Sequence, residues 1–343
     1  MLRRGDSTTV AKELTHWYVP AVRDFAGRRA VVTGGGSGMG RELVRQLAAD
    51  GCHVATCDVS EETLEETRAL AEEDAPPATR ISTFVADVAD EAQWQRFREH
   101  VASEHGTDHI NLLFNNAGIG GGGSFVLEDR AQWDATFAVC WGGVYLGCRT
   151  FLPMLIAADE AHIVNTSSVN GFWASLGPAR PHTAYSAAKF AVKGFTEALI
   201  TDLRLNAPHV RASVVMPGHI GTGIVLNSFR YFGLDPKTLD AEQLAQLRAQ
   251  LASQGIDASG ASDEDLRNGM QLQAEMFRDD APTTAAQAAT IILEGVRADR
   301  WRILVGADAE RLDGMVRATP EDAYEPSFMA QMRAEGVFGA MPL

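Results

Sequence analysis

The chain is 343 residues long and carries 45 acidic and 30 basic side chains, for a formal net charge of -15. A single hydrophobic core usually stops growing at roughly 250–300 residues, so the length allows one large domain with additions or two small domains. A hydrophobic share of 45% is ample for a packed core and excludes global disorder. The acidic balance disfavours polyanionic partners, so we expect neither nucleic acid nor a membrane surface to bind.

Signals for export, membrane insertion and metal binding are weak in this sequence. No apolar segment follows the basic start before Lys12, and apolar runs such as Phe151–Ala158 fall far short of the roughly 18 residues of a spanning helix. The absence of a C-x-x-C pair favours reduced thiols and leaves no zinc spacing, so we expect a cytoplasmic protein without metal. The four cysteines are Cys52, Cys57, Cys140 and Cys148.

Short β-branched runs alternate along the chain with amphipathic stretches of helical period. The predicted strands are Ala30–Thr33, His53–Asp58, Ile81–Val88, Ile110–Asn115, His162–Thr166 and Val210–Met216. The predicted helices between them are Gly40–Asp50, Glu61–Glu73, Glu91–Glu104, Ala131–Leu155 and Ala184–Leu205. This alternation predicts an α/β protein with a doubly wound parallel sheet, Rossmann-like, in three layers.

The alternation lapses between about residues 227 and 282. A helix is predicted to begin near Asp235-Pro236, since Asp is a favoured N-cap and Pro a favoured first residue. A second is predicted to begin at Ser262, where Ser-x-x-Asp resembles a capping box. The regular pattern resumes with a helix near Ala285–Ala298 and a last strand, Trp301–Val305. The irregular segment therefore interrupts a single domain, and we interpret it as an inserted helical lid.

The first strand leads into the glycine-rich stretch Thr33–Gly40, which is followed by a helix. Glycines allow a tight turn and close approach to a pyrophosphate, and a helix N-terminus offers free N–H groups. Asp58 ends the next strand, where a carboxylate would accept hydrogen bonds from an adenosine ribose and repel a 2′-phosphate. This pattern favours NAD over NADP. The alternative is a structural glycine turn beside a surface Asp.

A second pattern places Tyr185 and Lys189 one helical turn apart, so that the phenol and the ammonium share a face. A free Tyr has a pKa of roughly 10 and is a poor base near neutrality. Because a nearby cation favours the phenolate, we expect Lys189 to lower the pKa of Tyr185. Taken alone, the pair could equally be a partly buried Tyr beside a solvated Lys.

Together these patterns resemble the short-chain dehydrogenase/reductase family from about residue 27 to 222. The stretch Thr33–Gly40 resembles that family's T-G-x-x-x-G-x-G loop, and Tyr185 and Lys189 match its Y-x-x-x-K motif. Further matches are Asp87-Val88 beside the adenine, Asn115-Asn116-Ala117-Gly118 as the N-N-A-G motif, Ser168 as the catalytic serine, and Pro217–Thr222 as the P-G-x-x-x-T segment near the nicotinamide.

The resemblance implies an NAD-dependent oxidoreductase that interconverts a secondary alcohol and a ketone by hydride transfer. Ser168, Tyr185 and Lys189 would be its catalytic residues, and a homodimer or homotetramer would form through the two long central helices. The implied cofactor-binding residues are Gly34, Ser37, Gly38, Met39, Gly40, Asp58, Val59, Asp87, Val88, Asn115, Ala117, Gly118, Tyr185, Lys189, Pro217, Gly218, Ile220 and Thr222.

Two departures from the family pattern affect the expected site. Cys140 stands where members often carry an Asn, and a thiol cannot reproduce the donor–acceptor pair of an amide. A water relay to Lys189 would then need another anchor, such as a backbone carbonyl, and Cys140 itself is expected to be a small buried hydrophobe rather than a redox sensor. The stretch from Ser168 to Tyr185 is a few residues longer than usual, with Phe172-Trp173 and residues 178–181 as the added part.

The lid suggests what enters the site. Its apolar side chains favour a bulky hydrophobic alcohol or ketone as substrate, or they merely pack the inserted helices onto the domain. They are Ile224, Val225, Leu226, Phe229, Tyr231, Phe232, Met270, Met276 and Phe277. Two other functions stay open: a non-redox enzyme such as an epimerase or dehydratase that uses bound NAD, and a dinucleotide-sensing binding protein.

The chain thus divides into an N-terminal extension (1–27), a catalytic domain (28–306) and a C-terminal tail (307–343). The extension carries Trp17 and Tyr18, and the tail continues helically towards Pro320. Either could cover a surface of the domain or extend an interface between subunits.

Overall fold

The structure, a computed structural model, describes residues 22–127, 129–177, 180–253 and 255–337. Trp17 and Tyr18 of the predicted extension lie outside these residues, as do residues 178–179 of the lengthened stretch after Ser168. Of the extension, Phe25 is buried against the sheet layers, with the guanidinium of Arg297 over its ring at 4.3 Å. The end of the extension is therefore packed into the domain.

Seven parallel strands form one sheet in the order β3-β2-β1-β4-β5-β6-β9. The order reverses between β1 and β4, which opens a crevice at their carboxyl ends, the usual ligand position in a doubly wound sheet. The sheet confirms the predicted fold class. Its strands are β1 (Arg29–Thr33), β2 (His53–Asp58), β3 (Ile81–Val85), β4 (Leu112–Asn115), β5 (Ala161–Thr166), β6 (Val210–Pro217) and β9 (Arg302–Val305).

Helices cover both faces of the sheet, so the core lies in two layers. One layer is filled by side chains such as Leu43, Leu47 and Ile292, and the other by Trp94 and Phe151 with their neighbours. On the first face lie α1 (Gly38–Ala49), α2 (Glu61–Asp74) and α10 (Ala285–Arg297), and on the second α3 (Glu91–His105), α4 (Arg130–Phe137), α5 (Gly143–Ile156) and α6 (Thr183–Asn206).

The predicted helix Ala131–Leu155 is present, but a π-helical turn at Ala138–Gly142 separates α4 from α5. Such turns insert one extra residue and occur often at functional sites. By length and composition the whole stretch Arg130–Ile156 could cross a membrane, yet 56% of its most apolar window is buried inside the fold. That burial is typical of the central helix of a packed α/β domain.

Three helices form the inserted segment. Its two ends are joined by a short parallel pair of strands, β7 (Ile220–Gly221) and β8 (Thr283–Thr284). The helices are α7 (Ile224–Tyr231), α8 (Ala241–Ser253) and α9 (Asp263–Asp279).

The structure gives the starts of two helices that the sequence predicts in the lid. The predicted helix start near Asp235 is wrong: α8 begins at Ala241, because Asp240 and Gln243 exchange side-chain and backbone hydrogen bonds at 2.9 Å. The predicted capping box at Ser262 is confirmed, with Asp265 as its partner.

The tail continues as α11 (Ala307–Ala318) and α12 (Pro326–Ala334) and packs back on its own chain. Phe328, Met329 and Met332 bury the indole of Trp173, whose Nε1 donates to the carbonyl of Ala323 at 2.7 Å. The tail therefore covers the lengthened stretch that follows Ser168.

Candidate active site

The predicted site residues gather at the carboxyl edge of the sheet, because each follows the end of a strand. The glycine loop follows β1, Asp58 ends β2, and Gly118 and Ser168 come shortly after β4 and β5. The segment after β6 completes the edge. Parallel strands bring their carboxyl ends together, so residues far apart in sequence share one cleft.

The glycine loop allows other groups to approach its backbone closely. Gly34 and Gly38 have φ of +68° and +54°, a region that side chains rarely adopt. A Cβ at residue 40 would lie 1.9 Å from the carbonyl oxygen of Gly34, so helix and loop can pack only with glycine there. Ser37 and Met39 flank these glycines at the start of α1. The free N–H groups of this helix end face the cleft, as an anionic pyrophosphate requires.

Asp58 lies beside the glycine loop at the end of β2. Its Oδ2 accepts the N–H of Gly36 at 3.0 Å, and its Oδ1 accepts the N–H of Val59 at 2.8 Å. Burial raises the pKa of Asp58, and these backbone bonds oppose that shift. The carboxylate is thus fixed next to the loop while Val59 is exposed beside it.

Arg41 is a residue of this region that the sequence analysis missed. Its guanidinium donates to the carbonyl of Gly36 at 2.7 Å and to the Thr67 hydroxyl at 3.0 Å, and it pairs with Glu66 at 2.7 Å. It therefore sets a positive charge near Asp58. The available signal was its position directly after the last glycine of the loop.

The lid contacts the side of the cleft where the family resemblance predicts the adenine. Tyr231, at the end of α7, donates its hydroxyl to Asp87 Oδ2 at 3.1 Å, while Asp87 Oδ1 accepts the N–H of Ala89. Val88 is buried, and Gly143 of α5 lies close against it. Asp87 is thereby held by groups from two parts of the chain.

Helix α7 touches the cleft at two further points. Asn227 donates to the hydroxyl of Ser37 at 2.9 Å, and Ser228 accepts the N–H of Gly120 at 2.8 Å. Thr222 lies close to Gly38. A Cβ added at residue 38 would be 3.1 Å from the side chain of Thr222. The first lid helix therefore spans the cleft from the glycine loop to Asp87.

Residues of the N-N-A-G motif contact both the core of the sheet and the glycine loop. The amide of Asn115 points into the core, where it donates to Asn165 Oδ1 at 2.8 Å. The N–H of Ala117 donates to the Thr33 hydroxyl at 3.0 Å, and so ties the motif to the glycine loop. Gly118 faces the cleft. The expected cofactor contact of Asn115 can therefore come only from its backbone, because its side chain fastens two strands together.

Ser168, Tyr185 and Lys189 come together as predicted. The Ser168 hydroxyl accepts the N–H of Asn170 at 3.1 Å and interacts with the phenol of Tyr185. Nζ of Lys189 lies 5.3 Å from the centre of the Tyr185 ring and donates to the carbonyl of Thr166 at 2.9 Å. All of these groups are held by α6 and by the end of β5.

The expected lowering of the Tyr185 pKa is wrong for the protein by itself. Burial raises the pKa of Tyr185, and the bond with Ser168 opposes this shift. Burial also lowers the pKa of Lys189, so the cation that should stabilise a phenolate is itself disfavoured. Desolvation outweighs the proximity of the two groups.

Cys140 is fully buried in the π-helical turn, as expected of a small hydrophobe at this position. Its Sγ donates to the carbonyl of Ile119 at 3.1 Å. A Cβ at Gly118 would lie 3.8 Å from that sulfur and 3.5 Å from Nζ of Lys189. The thiol thus packs behind the lysine. Lys189 is itself anchored on the Thr166 carbonyl. A backbone anchor for the water relay stays a prediction.

The segment predicted beside the nicotinamide is held by the last strand and the tail. The N–H of Gly218 donates to the carbonyl of Val305 at 3.0 Å, and that of His219 donates to Asp308 Oδ2 at 2.6 Å. Pro217 ends β6, and Ile220 is buried below the cleft. The path of the segment is therefore set by the start of α11.

Comparison with known proteins agrees with this geometry. Residues 28–230 match the family described as short chain dehydrogenase. The chain is 32% identical over 294 residues to the oxidoreductase SadH of Mycobacterium tuberculosis, with 85% of this chain and 91% of SadH covered. It is 34% identical over 224 residues to levodione reductase of Leifsonia aquatica, with 65% and 80% covered.

A solved structure shows the same fold. The short-chain dehydrogenase/reductase from Burkholderia phymatum in complex with NAD is 29% identical and superposes with a TM-score of 0.68, covering 87% of this chain and 95% of that one. The protein belongs to the short-chain dehydrogenase/reductase family of Rossmann-fold oxidoreductases. As such it uses a nicotinamide dinucleotide, NAD or NADP, and acts on small molecules.

The residues present fit such a cofactor. The glycine loop offers a cradle that a side chain at residue 40 would fill, and Asp58 lies at its rim. Gly118 leaves room beside Nζ of Lys189, where a nicotinamide ribose would be held. Within the part of the chain that the structure describes, no cluster of three or more His, Cys, Asp or Glu could bind a metal ion.

Proposed function

We propose that the protein is an NAD-dependent alcohol dehydrogenase, or carbonyl reductase, acting on a bulky hydrophobic secondary alcohol or its ketone. The observation that carries the proposal is the meeting of Ser168, Tyr185 and Lys189 in one cleft with the glycine loop. A protein that only sensed a dinucleotide would have no use for this combination. The site carries this assignment, because the fold alone supports many activities.

The three side chains have separate tasks in the proposed reaction. Ser168 binds the substrate oxygen through its hydroxyl. Tyr185 donates a proton to that oxygen when a ketone is reduced and accepts it when an alcohol is oxidised. Because burial raises the pKa of Tyr185, the phenol is protonated at neutral pH in the protein by itself, which suits proton donation to a ketone.

A bound nicotinamide cofactor supplies the hydride donor or acceptor and, when oxidised, a positive charge that favours the Tyr185 phenolate. Lys189 binds the ribose of that cofactor with Nζ while the Thr166 carbonyl fixes the lysine. The position of Lys189 is therefore independent of the substrate. Positioning the reacting groups is the main contribution of the protein.

The preference for NAD rests on Asp58. Its carboxylate can accept hydrogen bonds from a ribose diol and would repel a 2′-phosphate. The positive charge of Arg41 could instead attract the 2′-phosphate of NADP. The guanidinium is, however, already bound by Gly36, Thr67 and Glu66. The NAD found in the Burkholderia phymatum relative supports the same choice.

The apolar residues of the lid fall into two groups: one packs the inserted helices together, and the other stays half-buried. Leu239 just before α8, Leu244 of α8 and Leu266 of α9 pack on one another and form a separate small core. The apolar residues of α7, by contrast, remain only half-buried, so Ile224 and Val225 keep apolar surface that a substrate could cover. The proposal of a bulky hydrophobic substrate depends on this first helix alone.

A screen of purified protein tests the proposed function. Secondary alcohols of increasing size are offered with NAD and with NADP separately, and reduced nicotinamide is followed by absorbance. We expect turnover of cyclic and aryl alcohols with NAD and much weaker turnover with NADP. Strong NADP preference would contradict the role of Asp58, and activity on small polar alcohols alone would contradict the role of α7.

Replacing the proposed acid–base residue tests the mechanism. Tyr185→Phe removes the exchangeable proton but keeps the ring, so kcat should fall by roughly 10² to 10⁴. Binding of NADH, measured by fluorescence titration, should persist in this variant. Near-normal turnover in Tyr185→Phe would reject the assignment.

A further inference from the structure

The imidazole of His182 stacks on the ring of Tyr185. The two ring centres are 4.6 Å apart, and the ring planes are tilted by 29°. His182 immediately precedes α6 and is only partly exposed. Among the residues that the structure describes, none forms a hydrogen bond with its ring nitrogens. A polar side chain without a protein partner therefore lies directly against the proposed acid–base residue.

The position of this histidine is fixed by the loop opposite. The N–H groups of Thr183 and Ala184 donate to the carbonyls of Gly123 and Gly122, each at 3.0 Å. The Ser186 N–H in turn donates to the His182 carbonyl at 3.1 Å. Both ends of the first turn of α6 are thus held. The bonds to this loop and within the first turn therefore set the relative positions of His182 and Tyr185.

The chemistry of the ring suits an uncharged oxygen. Burial lowers the pKa of His182 to about 4, so the imidazole is neutral at physiological pH. A neutral imidazole has one N–H donor and one acceptor nitrogen. Neither nitrogen is bound by a described residue, so both are available to a hydroxyl or carbonyl group of a ligand.

We propose that His182 determines substrate specificity by hydrogen-bonding a second oxygen of the substrate. The substrate would then be an alcohol or ketone that carries a further hydroxyl or carbonyl group near the reacting carbon, on an otherwise apolar body. This inference rests on the proposed function, because it assumes that Tyr185 contacts the reacting oxygen. The competing explanation is that the ring only packs on Tyr185, an aromatic contact that Phe would also make.

The test compares cyclohexanol with the isomeric cyclohexanediols in the holoenzyme. The His182→Phe variant keeps the stack on Tyr185 and removes the ring nitrogens. We expect the wild type to prefer one diol over cyclohexanol in kcat/KM, and His182→Phe to lower this ratio roughly tenfold, the effect of one hydrogen bond. His209→Phe, beyond the far end of α6, is the matched control and should leave the ratio unchanged.

Either of two results would overturn the proposal: no preference for any diol in the wild type, or the same ratio in His182→Phe. Failure of the proposed function looks different, since no alcohol would then be turned over by any variant. In that case, the diols and cyclohexanol are titrated into the complex of the protein with NADH, and their binding tests the role of His182. Tighter binding of a diol that His182→Phe abolishes would support the role of His182, and equal binding of diol and cyclohexanol would reject it.

Discussion

Tyr231 and Asp87 form the contact by which the lid reaches the adenine side of the cleft. The phenol donates to the carboxylate at 3.1 Å, and burial followed by the negative charge of Asp87 raises the pKa of Tyr231 to about 12. The phenol is therefore a constant donor over the whole working pH range. It orients a carboxylate that the family resemblance places beside the adenine.

We expect Tyr231→Phe to weaken NADH binding. Loss of a hydrogen bond to a charged group should raise the Kd roughly tenfold and leave kcat at saturating cofactor nearly unchanged. Fluorescence titration gives the Kd, and Tyr145→Phe, an exposed tyrosine on α5, is the control. A Kd equal in the two variants would show that Tyr231 has no part in holding the cofactor.

Residues of the site differ in how far the sequence could reveal them. Ser168, Tyr185 and Lys189 were accessible because their spacing is local and their chemistry is specific. Tyr231 was grouped only with apolar lid residues, since its contact with Asp87 depends on how the lid folds back. The raised pKa of Tyr185 was missed for a similar reason: proximity to Lys189 shows in the sequence, and the degree of burial does not.

The glycine run Gly120–Gly123 shows how one loop positions a whole helix. Gly122 has φ of +61°, and a Cβ there would lie 2.5 Å from the Cβ of Ala184. The loop therefore approaches the first turn of α6, just before Tyr185, as closely as a backbone can. Four consecutive glycines are visible in the sequence, but their contact with α6 is not.

Gly122→Ala should disturb catalysis as well as folding. Gly106 has a similar φ of +55° but has no atom within 4 Å of an added Cβ. Gly106→Ala should therefore cost only the left-handed strain, about 1 kcal/mol, with unchanged kcat. Gly122→Ala carries the same strain plus the collision with Ala184, so kcat should also fall. Thermal unfolding and steady-state kinetics of the pair measure both effects, and equal kcat values would contradict this role of the loop.

The tail supports the element that carries Ser168. Trp173 is buried among tail side chains, its Nε1 donates to the Ala323 carbonyl, and its own carbonyl accepts a bond from Asn170. This arrangement shows that the tail covers a surface of its own domain, which is one of the two roles that the sequence left open. The contact pairs residues about half the chain apart, which no local pattern encodes.

Trp173→Phe is expected to lower the free energy of unfolding by about 1–3 kcal/mol, because it leaves the Ala323 carbonyl without its buried partner. Turnover should fall as well, because a shift of the Trp173 backbone would disturb its carbonyl, which accepts a bond from Asn170 in the loop of Ser168. Trp301→Phe, at a half-exposed position, should change neither quantity. Denaturant unfolding together with kcat tests the pair. Full stability in Trp173→Phe would contradict the bracing role of the tail.

For the molecule as a whole, buried histidines make stability depend on pH. Burial lowers the pKa of His162 to about 3 and that of His105 to about 4, against about 6.5 in an unfolded chain. Below pH of about 6.5 the unfolded chain therefore binds more protons than the folded one, and stability falls as the pH drops towards these lowered values.

We expect the Tm to fall steadily from neutral pH towards pH of about 4. The double variant His105→Gln and His162→Gln removes both titrating rings while keeping polar groups opposite Ser82 and Ser213. It should show a flatter dependence, even if its Tm at neutral pH is lower. Parallel curves for wild type and variant would assign the acid sensitivity to other groups.

The faces of α5 and α6 that point away from the sheet carry exposed apolar side chains, Tyr145 and Phe190 among them. The family resemblance places subunit contacts on these two helices. Association into a dimer or tetramer stays a prediction.

The contact between Trp173 and the tail also has an evolutionary consequence. The longer serine loop and the helices that cover it fit only each other, so neither could be gained or lost alone without leaving an apolar cavity or an uncovered indole. We therefore expect relatives to carry both parts or neither. A chimera that takes residues 168–185 from one relative and the tail from another would fold only if both parents share this pairing.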